Sequence, residues 1–461
     1  MIKAVLLVGV LVLCAALFAL FVTWERRGKN HYVVVGLLVL IVVESSLYQD
    51  ENSIPRGIFH PGSGSLQLRL PEVVIVLALL ARLVARGWPT RVGFPALWWS
   101  AFAAWMTVAF VEGLLRHNDF THITYEGKAI IYVTGAYALA VGTRLQRYFE
   151  GRIFERLVRW SAVAATVLIV MTAGNLEFSL NLPLVPLSRF GVLGTDAGTI
   201  FTSLGVIGLL LELSKPRRSK LTLLAVVPLL LSAFLADQRA ALLGLGAAVV
   251  TVLLVALGPT ARQRMRVTLT EVILCALAIV GVVLAVAVVP AVSAERPVQT
   301  PLASKLKITF GSEEKAESAQ DRVNQWRAVL PDIRQHVIMG SGLGFEYAYY
   351  APGPDTYVTT DLTHNIGLDL LLRTGLIGLA LFIFALALSF RDGLFAWRSH
   401  PDRMAGALAL ALVAVIVGLL VKAMVESDLE NYRLATLLGL SLGLLRAVVT
   451  SPGAARISKR A

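Results

Sequence analysis

The residues of this chain best suited to chemistry sit at the ends of apolar stretches. From Asp361 the sequence reads DLTHNIGLDLLLRTGLIG: His364 and Asn365 precede a strongly apolar run, and Asp369 and Arg373 fall inside it. Asn365, Asp369 and Arg373 are spaced by four, so a helix puts them on one face. An acid one turn ahead of an arginine is the favourable order for an ion pair. Charges inside an apolar helix are expensive unless matched, and the plainest role of Asp369 and Arg373 is to fix that helix in place. His364 stands just before the run. A lone histidine there is usually a cap or a solvated residue; the other role is proton transfer, for which a free pKa of about 6.5 is suited at neutral pH.

Three arginines occupy comparable positions. LSRFGVLGTDAGT places Arg189 and Asp196 immediately before another apolar run, among glycines that let a ligand approach the backbone. LADQRAALLGL puts Arg239 in a tight turn between two apolar runs, and AQDRVNQWRAVL carries Arg322, with Arg327 on another part of the same surface. In VKAMVESDLENYR, Lys422, Glu426 and Glu430 recur every four residues. Each of these, taken alone, reads as a solvated loop charge. Several arginines and a histidine on one face are less ordinary. A planar guanidinium donates two parallel hydrogen bonds to anionic oxygens, each such bond contributing roughly 1.5–3 kcal/mol. At a site facing both lipid and water, that arrangement suits a lipid-linked diphosphate.

The elements that must position these residues are membrane helices. Hydrophobic residues make up 56% of the 461 and charged residues 16%, more apolar surface than a soluble domain of this size hides. A helix needs roughly 20 apolar residues to cross hydrocarbon. Stretches at about 4–23, 32–48, 70–86, 93–115, 128–143, 157–174, 196–213, 220–237, 239–257, 270–290, 366–390, 404–424 and 430–449 meet or approach that length. The expected class is an all-α polytopic integral membrane protein, one helical domain over 1–461 with about 12–13 transmembrane helices. The first stretch, with only Lys3 ahead of it, reads as an uncleaved helix. Cys14 and Cys275 both lie in apolar segments and indicate neither a disulfide frame nor a metal site.

The short loops alternate in charge. WERRGKN, ARGWPTR, RLQRYFEGRIFERLVR, SKPRRSK, PTARQRMR and FAWRSHPDR are basic, and the loops between them are not strongly so. The positive-inside rule puts the basic set in the cytoplasm and leaves His364 and the three arginines on the other side. The net charge of +12 follows from these loops and calls for no nucleic acid. One loop is much longer than the rest, from about 291 to 363. Between Ser318 and His336, Val323, Trp326, Leu330 and Ile333 fall near helical spacing and predict an amphipathic helix. SGLGFEYAYYAPGPDTY then reads as a folded loop with turns and interfacial aromatics. No internal repeat is visible.

With these residues in hand, HNIGLDLLLRTGLIGL resembles the His-Asn-x-x-Leu…Gly-Leu-x-Gly signature of the O-antigen ligase and O-antigen polymerase superfamily. The upstream pieces follow that family's order: an FGVLGTDAGT-like turn, an arginine in a short outward turn, and a large loop with Arg-x-x-x-Trp (Arg322 to Trp326) and GSGLGF. The resemblance covers roughly 185–449; the first half matches only as a hydrophobic pattern. It implies a type-C glycosyltransferase-like enzyme of the bacterial inner membrane, with its active site and large loop facing the periplasm. The implied reaction is transfer of a polysaccharide from undecaprenyl diphosphate to a sugar hydroxyl of lipid A-core, without a metal or other cofactor. By the same resemblance His364 and Arg239 are catalytic, and Arg189, Arg239 and Arg322 bind the diphosphate; the positions of Asn365, Asp369, Arg373 and Glu426 give them a supporting role. Asp196-Ala197 departs from the Pro-Asn common in relatives, and twelve helices are usual in the family.

Direct displacement at the anomeric carbon inverts its configuration, and the leaving diphosphate needs fixed cations or a metal. No compact Asp-x-Asp pair stands in the large loop, although Glu426, Asp428 and Glu430 keep a metal open as far as the residues go. Three rivals remain. A polymerase uses the same donor and another lipid-linked repeat as acceptor; a protein-directed oligosaccharyltransferase uses Ser or Thr. A transporter of lipid-linked glycan is a different class, marked by repeated halves and midplane charges. The late position of the large loop, followed by three helices, favours the ligase.

Overall fold

A chain in hydrocarbon must satisfy every backbone N–H and C=O within itself, so its apolar runs become helices. The computed structural model describes residues 2–47, 69–87, 94–144, 148–149, 152–178, 195–235, 239–256, 313–351, 355–426 and 431–451. The first half holds α1 (Ile2–Arg26), α2 (His31–Leu47), α3 (Leu70–Arg86), α4 (Phe94–Leu115), α5 (Phe120–Ile130), a π-helical turn at Ile131–Gly135, α6 (Ala136–Val141) and α7 (Ile153–Phe178). Then follow α8 (Thr195–Ser214), α9 (Lys220–Leu235), α10 (Arg239–Ala256) and α11 (Glu313–Gln335). A hairpin of β1 (Tyr347–Ala351) and β2 (Thr356–Thr360) precedes α12 (Ile366–Ser399), α13 (Arg403–Ala423) and α14 (Tyr432–Val449). Every apolar stretch expected from the sequence coincides with a helix except 270–290, which lies outside the described residues.

Among the described residues, five helices are long and apolar enough to cross a membrane: Ala96–Leu115, Asp196–Ser214, Ile366–Ser399, Arg403–Ala423 and Tyr432–Val449. The protein is a mostly helical, multi-pass membrane protein. Burial sorts these helices into layers. Asp196–Ser214 and Tyr432–Val449 are 89% buried and Ala96–Leu115 only 28%, so α8 and α14 are central and α4 peripheral. The α13 helix is apolar and buried nearly all round, as an interior helix is. Its Gly418 lies against Gly244 of α10, where a Cβ on either would meet the other's carbonyl within 2.8 Å; small residues let two membrane helices approach this closely.

The described part of the large loop, 313–351 and 355–363, holds more regular structure than its composition implies. Its amphipathic helix is α11, longer than expected, and it packs on β1 and α12. The buried face is also offset from the expected one. Gln325, Val329 and Ile333 are buried and Leu330 is 39% exposed, because Val329 and Ile333 cluster with Tyr347, Tyr349 and Leu372. The Tyr-rich stretch forms the antiparallel hairpin, with Tyr347 paired to Thr360 and Ala351 to Thr356. This hairpin is the one departure from an all-α architecture among the described residues.

Candidate active site

The glycines of GSGLG fasten the loop to the bundle. Gly340, Gly342 and Gly344 all have positive φ, and a Cβ on Gly342 would lie 2.5 Å from the Gly113 backbone of α4. Inside α12, Gly375 takes φ 65°, ψ −170° and kinks the helix, a conformation open to glycine alone. A kink frees carbonyls that hydrocarbon cannot satisfy, and three of them find donors outside the helix. The Leu372 and Arg373 carbonyls accept from Ser341 N (2.7 Å) and Gly342 N (3.1 Å), and Thr374 O from Trp105 Nε1 (2.8 Å). The RTGLIG and GSGLG motifs are therefore two halves of one joint.

That joint holds the segment bearing His364, and side chains from three elements grip the three carbonyls before it. Arg373 Nη2 donates to Asp361 O, Tyr347 Oη to Leu362 O at 2.6 Å, and Trp326 Nε1 to Thr363 O at 2.9 Å. His364 follows with φ 48°. That left-handed conformation is uncommon for a residue with a Cβ, and it persists where surroundings over-determine it. Asn365 then caps α12, its Oδ1 accepting from Gly367 N and Leu368 N at 3.0 Å each, while its Nδ2 donates to Met424 O at 3.0 Å at the end of α13. Burial, and next the Arg322 charge on α11, hold the His364 imidazole below its ordinary value, against the opposing charges of Asp321 and Asp369.

The arginines divide by what they touch. Arg373 is wholly engaged by the protein. Its Nε meets buried Asp369 Oδ1 at 2.8 Å, Nη1 pairs with buried Glu126, and Nη2 donates to the carbonyl of half-buried Asp361. Arg322 is half-buried beside His364 and makes no ion pair among the described residues. Arg239 opens α10 rather than lying in the preceding turn; its side chain lies outside the description. Its helix start shares an end with His364, because Gly244 contacts Gly418, and α13 runs on from there to Met424. Arg189 lies outside the described residues, as do Asp428 and Glu430. Glu426 pairs with buried Lys422 at 2.6 Å. Asp196 accepts from Asn431 (2.6 Å) and Arg433 (2.9 Å), joining the starts of α8 and α14. That pairing accounts for an acid in the departing Asp196-Ala197 turn.

Several partners escaped the sequence reading. Glu126 stands just ahead of the apolar run expected at 128–143, so nothing in that run marked it as a buried acid. Arg433 ends the segment VKAMVESDLENYR, in which only Lys422, Glu426 and Glu430 were singled out. His122 at the head of α5 lies between Asp361 Oδ2 (2.5 Å) and Glu346 Oε1 (3.1 Å) and ties the hairpin to the His364 segment; nothing local marks it. Chemically, the assembly offers a positioned imidazole beside a cation without a carboxylate partner among the described residues, and a fully satisfied ion-pair network beneath them.

Residues 224–383 match the family model described as O-antigen ligase. The match runs from α9 through the large loop into α12 and contains Arg239, Arg322, His364, Asp369 and Arg373. No curated protein matches the chain.

Proposed function

We propose that this chain, which carries a domain of the O-antigen ligase and polymerase superfamily over residues 224–383, is the ligase. It transfers a polysaccharide from undecaprenyl diphosphate to a sugar hydroxyl of lipid A-core, at the periplasmic face of the bacterial inner membrane. The observation that carries the reading is the His364 segment, fixed through three successive carbonyls inside the matched domain with Arg322 beside it.

In this reaction the acceptor hydroxyl oxygen attacks the anomeric carbon from the face opposite the diphosphate. Its proton passes to an imidazole nitrogen of His364, which the lowered pKa keeps neutral and receptive at pH 7. The anomeric carbon–oxygen bond to phosphate breaks, its electron pair leaves with undecaprenyl diphosphate, and the sugar is inverted. Arg322, with Arg239 and Arg189, balances the charge growing on that leaving group, as fixed cations do best when they need not reorganise. Asn365 orients the histidine by capping α12. Asp369, Arg373 and Glu426 support the site without contacting substrate, and the reaction proceeds without a metal.

The test supplies purified protein with undecaprenyl-diphosphate oligosaccharide, with and without lipid A-core, in EDTA. A ligase gives a shifted lipid A-core band. A ladder of longer lipid-linked chains without the core identifies a polymerase and overturns the assignment of acceptor. Absence of product in both arms removes the enzyme reading in favour of transport.

A further inference from the structure

The end of the bundle away from His364 holds a cavity that this reaction does not use. Met404 and Met424 bracket α13 and lie about 30 Å apart at the helical rise, and it is Met424 that Asn365 binds. Around Met404, between the starts of α7 and α9 and the end of α8, lies a cavity of about 330 Å³. Its walls are apolar, with Phe149, Phe154, Val158, Leu211 and Met404 among them, and its rim is charged.

The charges at the rim do not cancel. Two carboxylates face it, Glu155 and Glu212, and both are engaged. Arg159 pairs with Glu155; Lys215 Nζ reaches Glu212 at 2.6 Å and Glu155 at 3.4 Å; Ser219 N also donates to Glu212. Arg152 and Arg217 line the same cavity, are exposed, and make no ion pair among the described residues, although the Arg152 charge also acts on Glu155. Two positive charges are thus left for an anion. Apolar strips begin at the same rim. On α7 Trp160 is 72% exposed and followed by exposed Val163 and Val167, and on α9 Leu221, Leu224 and Val227 are exposed. In a membrane protein these strips face acyl chains, so an anion at the rim stands where the headgroup of a lipid lying along α7 and α9 would sit, and basic pockets between membrane helices suit anionic headgroups.

We infer that this cavity binds an anionic phospholipid, its phosphodiester headgroup between Arg152 and Arg217 and its acyl chains along α7 and α9. The test titrates delipidated full-length protein in detergent with phosphatidylglycerol, phosphatidylcholine or inorganic phosphate and reads retained lipid by native mass spectrometry. Phosphatidylglycerol is retained and phosphatidylcholine is not. R152Q/R217Q weakens phosphatidylglycerol binding roughly thirtyfold, at about 1 kcal/mol per arginine. R391Q/R398Q, which removes two exposed charges from the same end outside the cavity, binds as the parent does. Equal binding by R152Q/R217Q and parent overturns the site, as does an equal loss in R391Q/R398Q or equal retention of phosphatidylcholine. Thermal protection by inorganic phosphate matching that by phosphatidylglycerol makes it a pocket for soluble anions and overturns the lipid assignment.

Discussion

Two arginines near His364 illustrate how surroundings decide a side chain's role. The Arg373 guanidinium is spent on Asp369, Glu126 and the Asp361 carbonyl, so it stabilises the bundle and cannot serve a diphosphate. Removing it strands two buried carboxylates, and Arg373→Gln is expected to cost about 3–5 kcal/mol of stability, seen as early thermal unfolding in detergent. Arg322 has no such duty. Its positive charge is one of the two influences that lower the His364 pKa, burial being the larger. Taking the charge away raises that pKa, so in Arg322→Gln the acid limb of the pH–rate profile moves to higher pH. A limb at or below the parent's position contradicts the proximity. The spacing of Asp369 and Arg373 was legible because an i, i+4 pair is local. The third partner was not, since Glu126 lies 247 positions from Arg373 and periodicity carries no information at that range.

Among the elements, the joint between the large loop and α12 matters most. The sequence offered GSGLG and RTGLIG as separate motifs and gave no sign that they meet. Their meeting depends on a kink at Gly375 whose freed carbonyls find donors on the loop and on Trp105. A Cβ at Gly375 would stand 2.2 Å from the Ile338 carbonyl, and φ 65° with ψ −170° is hostile to any side chain. Gly375→Ala is therefore expected to lose at least about 1–3 kcal/mol and to lower the turnover rate more than donor binding, because it misplaces His364; unchanged unfolding and turnover would refute the joint. The amphipathic helix was legible in its existence but not in its face. Trp326 and Leu330 scored as apolar, yet Trp326 turns its indole N–H to Thr363 O, and Gln325 takes a buried place. Tertiary packing against the hairpin overrode hydrophobic spacing.

Over the whole molecule, chemistry-bearing groups collect at one end and surplus basic residues at the other. The helical class and most helix positions were legible because the length needed to cross hydrocarbon constrains each apolar run directly. The layering was not, because α4 and α14 are both apolar enough to cross yet differ widely in burial; only the packing separates them. The two ends make a prediction about sidedness. In a background lacking native cysteines, Arg327→Cys is labelled by an impermeant maleimide from one face of sealed vesicles and Arg217→Cys from the other; labelling of both from one face contradicts the arrangement. The central claim, that a positioned His364 performs the transfer without a metal, is tested most directly by the single-turnover rate of glycan transfer to lipid A-core in EDTA, parent against His364→Ala. The account predicts full parental activity in EDTA and a loss of roughly 10²–10⁴-fold in the variant, the range for a positioned general base. A variant within a few-fold of the parent, or a parent silenced by EDTA, would contradict it.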